Sequence, residues 1–154
     1  LLILLFLMIV GASAGSTSGG LKILRLKIAY EIVRQEIGRI VQPRSVRSIR
    51  MNGEVVPLSK VQVVLGMLSA WAVSAVVGTT LIAIFEPNLD LESVLSLSLS
   101  CLGNTGPALG TYGPTATWAS MNAPTMLITT LMMWLGRLEI LTVLVVFNPR
   151  AWRL

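Results

Sequence analysis

Leu91-Glu-Ser-Val-Leu-Ser-Leu-Ser-Leu-Ser-Cys101-Leu-Gly-Asn-Thr-Gly-Pro-Ala-Leu-Gly110 is an apolar, serine-bearing segment that runs straight into glycine-rich backbone. A long apolar segment carrying Arg137 and Glu139 follows, so irregular backbone lies between hydrophobic helices. Hydrocarbon leaves every free N–H and C=O unsatisfied, and non-helical backbone at membrane depth survives only where protein buries it or where it lines a water-filled cavity. The stretch therefore reads as the lining of a pore, with its carbonyls as candidate ion ligands.

The alternation in Leu95-Ser-Leu-Ser-Leu-Ser has the period of a strand, whereas a helix places Ser93, Ser96 and Ser100 along one face. The helix is preferred, because a lone strand leaves its edges unsatisfied in lipid and no further strands are available to close a barrel. Asp90 is placed to cap it, with Glu92 in the first turn where the helix dipole favours an acid. From Leu91 to Cys101 such a helix rises only about 16 Å, half a membrane. It is a re-entrant half-helix.

Upstream, Val61 to Phe85 carries no charge and would extend about 37 Å as a helix, enough to cross a hydrocarbon core of about 30 Å with tilt. Glu86-Pro-Asn-Leu-Asp90 stops it. Gly110-Thr-Tyr-Gly-Pro-Thr-Ala-Thr-Trp118 offers turn residues and an interfacial aromatic for a return to the outer surface, and Pro124 to Phe147 is a second span. The chain is 54% hydrophobic and 12% charged, with a mean hydropathy of +0.78, against roughly 25% charged in an average soluble domain. This is an all-α membrane protein. It begins at Leu1 within an apolar run too short to span alone, and reads as the cut end of a longer chain.

Lys22, Arg25, Lys27, Arg34, Arg39, Arg44, Arg47, Arg50 and Lys60 crowd the stretch before the first full span, while Glu86 and Asp90 lie in a stretch without bases. By the positive-inside rule, residues 21–60 and the Arg150- and Arg153-bearing C-terminus are cytoplasmic, and 86 to about 122 faces outside. That placement favours anionic lipid over nucleic acid as the partner of the positive charge. One cysteine and no histidine exclude a disulfide framework, a Cys/His metal site and a His-dependent triad. The chain reads as a non-enzyme without a cofactor.

Leu102-Gly-Asn-Thr-Gly-Pro107 meets the demands of a potassium filter, which needs carbonyl oxygens in place of a hydration shell and backbone with access to positive φ. Spacing alone also fits an ordinary glycine-rich membrane loop. Arg137 and Glu139 lie inside the last span, where a charge costs about 3 kcal/mol or more. Their i, i+2 spacing puts them on different sides of a helix, and a structural ion pair with another part of the protein remains an alternative to a role in the pore. Gly11-Ala-Ser-Ala-Gly15-Ser16-Thr17-Ser18-Gly19-Gly20 has the composition of a solvated linker, but its apolar flanks put it at membrane depth. Ile28 to Val41 forms an amphipathic stretch suited to a surface helix or to contact with a regulatory partner, and Met51-Asn-Gly-Glu54 to a turn.

Leu102-Gly-Asn-Thr-Gly-Pro-Ala-Leu-Gly110, Tyr112-Gly-Pro-Thr-Ala116, Leu135-Gly-Arg-Leu-Glu-Ile-Leu-Thr-Val-Leu144 and Pro149-Arg-Ala-Trp-Arg153 together resemble the fourth repeat of the Trk/Ktr potassium transporters, closest to their TrkH-type membrane subunit. Gly11 to Lys22 resembles the glycine-rich intramembrane loop of the third repeat, and Gln42-Pro-Arg-Ser-Val46 with Met51 to Val56 the linker between repeats. The resemblance covers essentially the whole chain in order.

It implies a four-repeat pore with the carbonyls of Gly103, Asn104, Thr105 and Gly106 as this repeat's ligands for the transported K+, Gly106 matching the family's filter glycine. Asn-Thr-Gly-Pro stands where the other repeats typically resemble Thr-Ala-Gly-Phe, which implies less symmetric ion sites. Arg137 and the loop residues Gly15, Ser16, Thr17, Ser18, Gly19 and Gly20 would form the gate. The implied organisation is a helix with its intramembrane loop (11–20) over 1–27, a cytoplasmic linker over 28–60, and a pore repeat over 61–154. Within that repeat come a helix at 61–85, a half-helix at 91–101, a filter at 102–107 and a helix at 124–147. Implied partners are the remaining repeats, a second copy in a homodimer, and a cytosolic nucleotide-binding regulatory subunit of the TrkA/KtrA kind, in a bacterial-type inner membrane with the C-terminus cytoplasmic. The expectation is potassium uptake; the rival readings are a secondary transporter binding another cation or solute at broken helices, and a non-conducting scaffold.

Overall fold

The charge-free run before Glu86 folds as one helix because it contains no internal proline and is apolar on every face. In the computed structural model, which describes residues 2–11, 21–41, 50–51, 54–55 and 57–138, this helix spans Leu58–Phe85, 28 residues and about 42 Å. It begins three residues before the expected Val61, directly after Pro57. Trp71, Gly78 and Ile82 form its buried stripe. The opposite face is equally apolar and exposed, with Val76 at 67% and Ile84 at 64%. A helix hydrophobic all round belongs in a bilayer, and it is the one helix among the described residues long and apolar enough to cross one.

Numbered along the chain, the helices are α1 (Leu2–Val10), α2 (Ile23–Val41), α3 (Leu58–Phe85), α4 (Leu91–Gly103) and α5 (Ala123–Arg137). Strands β1 (Arg50–Met51) and β2 (Glu54–Val55) pair antiparallel, Arg50 opposite Val55 and Met51 opposite Glu54. The sequence between them is Asn-Gly, the strongest short hairpin signal. The organisation drawn from the sequence places a boundary at residues 27 and 28, but this falls inside α2, which runs through without a break. Residues 139–147 of the second expected span lie outside the described residues.

The helix α4 is the centre of the arrangement and touches α1, α3 and α5. Val94, Leu97, Cys101 and Leu102 are buried there, and the Ser98 hydroxyl donates to the Ala75 carbonyl of α3 at 3.3 Å. On α5 the stripe Thr125, Thr129, Met132 and Gly136 is buried. Its start is tied to the end of α3: the Asn122 N–H donates to Glu86 Oε1 at 2.8 Å, and Asn122 Nδ2 donates to the Phe85 carbonyl at 3.0 Å. Lower down, the thioether of Met132 lies over Gly78, where a β-carbon would run into its Sδ and Cε. Small residues at helix contacts let backbones approach closely in membranes, where no hydrophobic force separates lipid from protein contact.

That contact yields a prediction. Gly78→Ala displaces only the flexible end of Met132, whereas Gly78→Leu must part α3 from α5, an overpacking cost of about 1–3 kcal/mol. Thermal unfolding of the full-length protein in detergent should show a clear loss for the leucine variant and little for the alanine variant.

Candidate functional site

Where α4 ends, the chain must turn without leaving carbonyls and amides unpaired. The Asn104 N–H donates to the Cys101 carbonyl at 3.3 Å and the Thr105 N–H to the Ser100 carbonyl at 3.2 Å, with Asn104 left-handed at φ +51°. This is a Schellman closure, and asparagine is one of the few non-glycine residues to accept that conformation. The half-helix is two residues longer than its sequence bounds: Leu102 and Gly103 belong to its last turn, and non-helical backbone starts at Asn104. The closure uses the carbonyls of Ser100 and Cys101. Those of Leu102 and Gly103 lie beyond it, at the negative end of the helix dipole. Asp90 occupies the N-cap position at the other end, where its own carbonyl accepts from Val94 at 3.0 Å, but its carboxylate makes no capping hydrogen bond.

The loop then climbs back along the serine face of α4. Thr105 Oγ1 donates to Ser100 Oγ at 3.3 Å. Ser96 Oγ accepts from the Leu109 N–H at 2.9 Å and lies 3.2 Å from the Leu109 carbonyl. Ser93 Oγ accepts from the Thr111 N–H at 3.1 Å. The period that put Ser93, Ser96 and Ser100 on one face thus becomes three rungs between helix and loop. Gly110, at φ +68°, passes so near Ser93 that a β-carbon would strike its hydroxyl. Ala108 and Tyr112 are buried behind the loop, while Thr105, Gly106 and Pro107 at its crest are exposed. Gly106 has φ +97° with open space around its missing β-carbon, so backbone conformation rather than crowding within this chain requires glycine there.

Two further elements approach the C-terminal end of α4. A β-carbon on Gly103 would lie 3.1 Å from the Met8 carbonyl of α1, and α1 borders an apolar cavity of about 320 Å³ with Leu7 and Met8 on one wall and Thr105 and Pro107 on the other. The Gly11 N–H donates to the Leu7 carbonyl at 3.3 Å and the Leu21 N–H to the Ile9 carbonyl at 3.1 Å. The chain therefore leaves α1 at Gly11 and is back beside it at Leu21. The expected gating residues Gly15, Ser16, Thr17, Ser18, Gly19 and Gly20, and Glu139, lie outside the described residues. From the other side comes α5: Asn104 Nδ2 donates to the Met133 carbonyl at 3.0 Å, and a β-carbon on Gly136 would collide with the Leu102 carbonyl oxygen. Arg137 follows as the last residue of α5, where a base complements the helix dipole.

The tie from Asn104 to α5 was not apparent from the sequence. Its available signal was Gly136, a residue that costs about 1 kcal/mol in a helix interior unless close packing requires it.

A spanning helix, a half-span helix closed onto a carbonyl-bearing loop, and a further apolar helix define an all-α membrane unit of the helix, half-helix, helix kind. A family model, TrkH, described as a cation transport protein, matches residues 1–153, and the chain belongs to that family. It is 35% identical over 144 residues to the Trk system potassium uptake protein TrkH of Salmonella typhimurium, covering 94% of this chain and 29% of that protein. It is 34% identical over 151 residues to TrkI of Halomonas elongata, covering 96% of this chain and 30% of that protein. The crystal structure of the potassium transporter TrkH from Vibrio parahaemolyticus superposes with a TM-score of 0.86 at 33% identity, over 99% of this chain and 32% of that one. The chain thus spans about three tenths of the length of these relatives.

The serine rungs carry a prediction of their own. Ser96→Ala removes the hydroxyl to which the half-buried Leu109 N–H donates, at a cost of about 1–3 kcal/mol. Ion flux through the full-length protein should fall or lose selectivity.

Proposed function

We propose that this chain is part of the pore-forming subunit of a potassium uptake system, and that the carbonyls of Gly103, Asn104, Thr105 and Gly106 supply one quarter of its ion-coordinating filter. The observation that carries the reading is the Schellman-closed half-helix whose serine face pins the glycine-bearing loop. It sets the backbone oxygens of residues 103–106 at a negative helix end, and backbone carbonyls are the groups that replace a cation's hydration shell in a filter. Membership of a cation transport family and the names of the relatives support K+ as the ion. The remaining three quarters come from preceding repeats of the full-length chain.

In this reading 61–154 forms the fourth pore repeat, 28–60 the cytoplasmic linker and 1–27 the end of the third repeat, with basic segments on the cytoplasmic side of the cell membrane. The subunit forms a homodimer and answers to a cytosolic nucleotide-binding partner; the naming of relatives as parts of a Trk system supports a multi-component assembly. Arg137 and residues 15–20 form the gate beneath the filter. Support comes from the backbone ties that bring Gly11 and Leu21 to α1 near Gly103, and from Gly136 against Leu102 one residue before Arg137.

Flux into liposomes by the full-length protein tests the reading. The parent should pass K+ in preference to Na+, whereas a coupled flux of another solute would favour a secondary transporter and no flux a scaffold. Gly106→Ser places a side chain on a positive-φ backbone at a cost of about 1–3 kcal/mol, and should lower K+ over Na+ discrimination while the protein still inserts.

Arg137 decides the gating part. Its guanidinium stays charged at physiological pH and opposes nearby cation passage. Arg137→Ala should therefore raise K+ flux per folded molecule and leave selectivity nearly intact. A purely structural ion pair would instead make the variant unstable, by roughly 3–5 kcal/mol.

A further inference from the structure

We propose that the Asn104 side chain is a strut that fixes the filter against α5 and so sets ion discrimination, making Asn104 a positioning residue through its amide as well as a carbonyl donor. The proposal rests on the potassium-filter reading above. Asn104 is the one non-glycine residue with positive φ among those described. Glycine would satisfy that backbone at lower cost. Asparagine adds a primary amide, and the amide is used: Nδ2 donates to the Met133 carbonyl at 3.0 Å, across 29 residues of sequence.

Beside this bond, Gly136 brings the α5 backbone against the Leu102 carbonyl, and a β-carbon there would also stand 2.8 Å from Asn104 Nδ2. Met133 and Gly136 are one turn apart on the same helix face. Together they hold the last turn of α4 and the filter residue Asn104 on α5. The amide and the Asn104 carbonyl branch from one Cα, so a displacement of α5 at Met133 reorients a ligand carbonyl. Whether discrimination comes from cavity size or from carbonyl field strength, it depends on that orientation.

The test compares Asn104→Gly and Asn104→Asp with the parent, as full-length protein in liposomes, reading K+ and Na+ flux together with the thermal midpoint. Glycine keeps the left-handed closure and removes the amide. Aspartate keeps the shape and turns an acceptor toward the Met133 carbonyl. Both should lower the K+/Na+ flux ratio by about fivefold, the equilibrium worth of one net hydrogen bond, and Asn104→Gly should unfold at the parent's temperature. A K+-selective parent matched in ratio by both variants would overturn the strut alone. Failure of Asn104→Gly to fold would also overturn it, by showing that the amide supports the whole fold rather than the filter. A parent without K+-selective flux would overturn the filter reading itself.

Discussion

Non-helical backbone inside a membrane has no water to satisfy it, and everything around α4 follows from that constraint. In the proposed function the loop after Gly103 offers some carbonyls to an ion, so its other polar groups need partners from the protein. Serine is suited to this: one hydroxyl both donates and accepts, and it is short enough to leave loop and helix in near contact. Ser93, Ser96 and Ser100 fill that role at three heights of one helix face. Ser98, which faces the other way, ties the same helix to α3. A half-helix made only of leucine would be as apolar and would hold no loop.

Close approach is the second requirement, and glycine meets it where α4 and α5 pass other backbone. Gly136 admits the Leu102 carbonyl, Gly110 admits Ser93, and Gly78 admits Met132. In lipid the gain comes from van der Waals contact and hydrogen bonding rather than from expelling water from apolar surface, so a missing β-carbon is worth more than an added methyl group. The apolar outer face of α3 fits the same solvent. What holds the unit together is the shape and hydrogen bonding of its inner faces.

Much of this was legible in the sequence because the membrane makes simple rules strict. A charge-free run long enough to cross, a serine-bearing run half that length, and glycine-rich backbone between apolar segments left few arrangements open, and the serine period identified the face that holds the loop. Gly106 is understandable in the same way, from a backbone at φ +97°. Contacts between distant residues were not legible. Nothing in the order of residues brings the Asn104 amide to the carbonyl of Met133, and Gly136 carried no mark beyond its poor fit to a helix interior. The helix bounds moved by two or three residues where backbone closure outweighed composition: at Leu58 behind Pro57, and at Gly103 before the left-handed Asn104. The boundary drawn at residues 27 and 28 follows charge, which does not end a helix, and α2 passes through it unbroken.

In the proposed function, backbone oxygens of residues 103–106 coordinate the transported ion. That coordination is tested most directly by a structure of the full-length protein with Rb+ in place of K+, read by anomalous scattering. Rb+ density is expected within coordinating distance of the carbonyls of Gly103 to Gly106, shared with equivalent loops of the preceding repeats. Density confined to other parts of the molecule, with these carbonyls turned away from it, would contradict it.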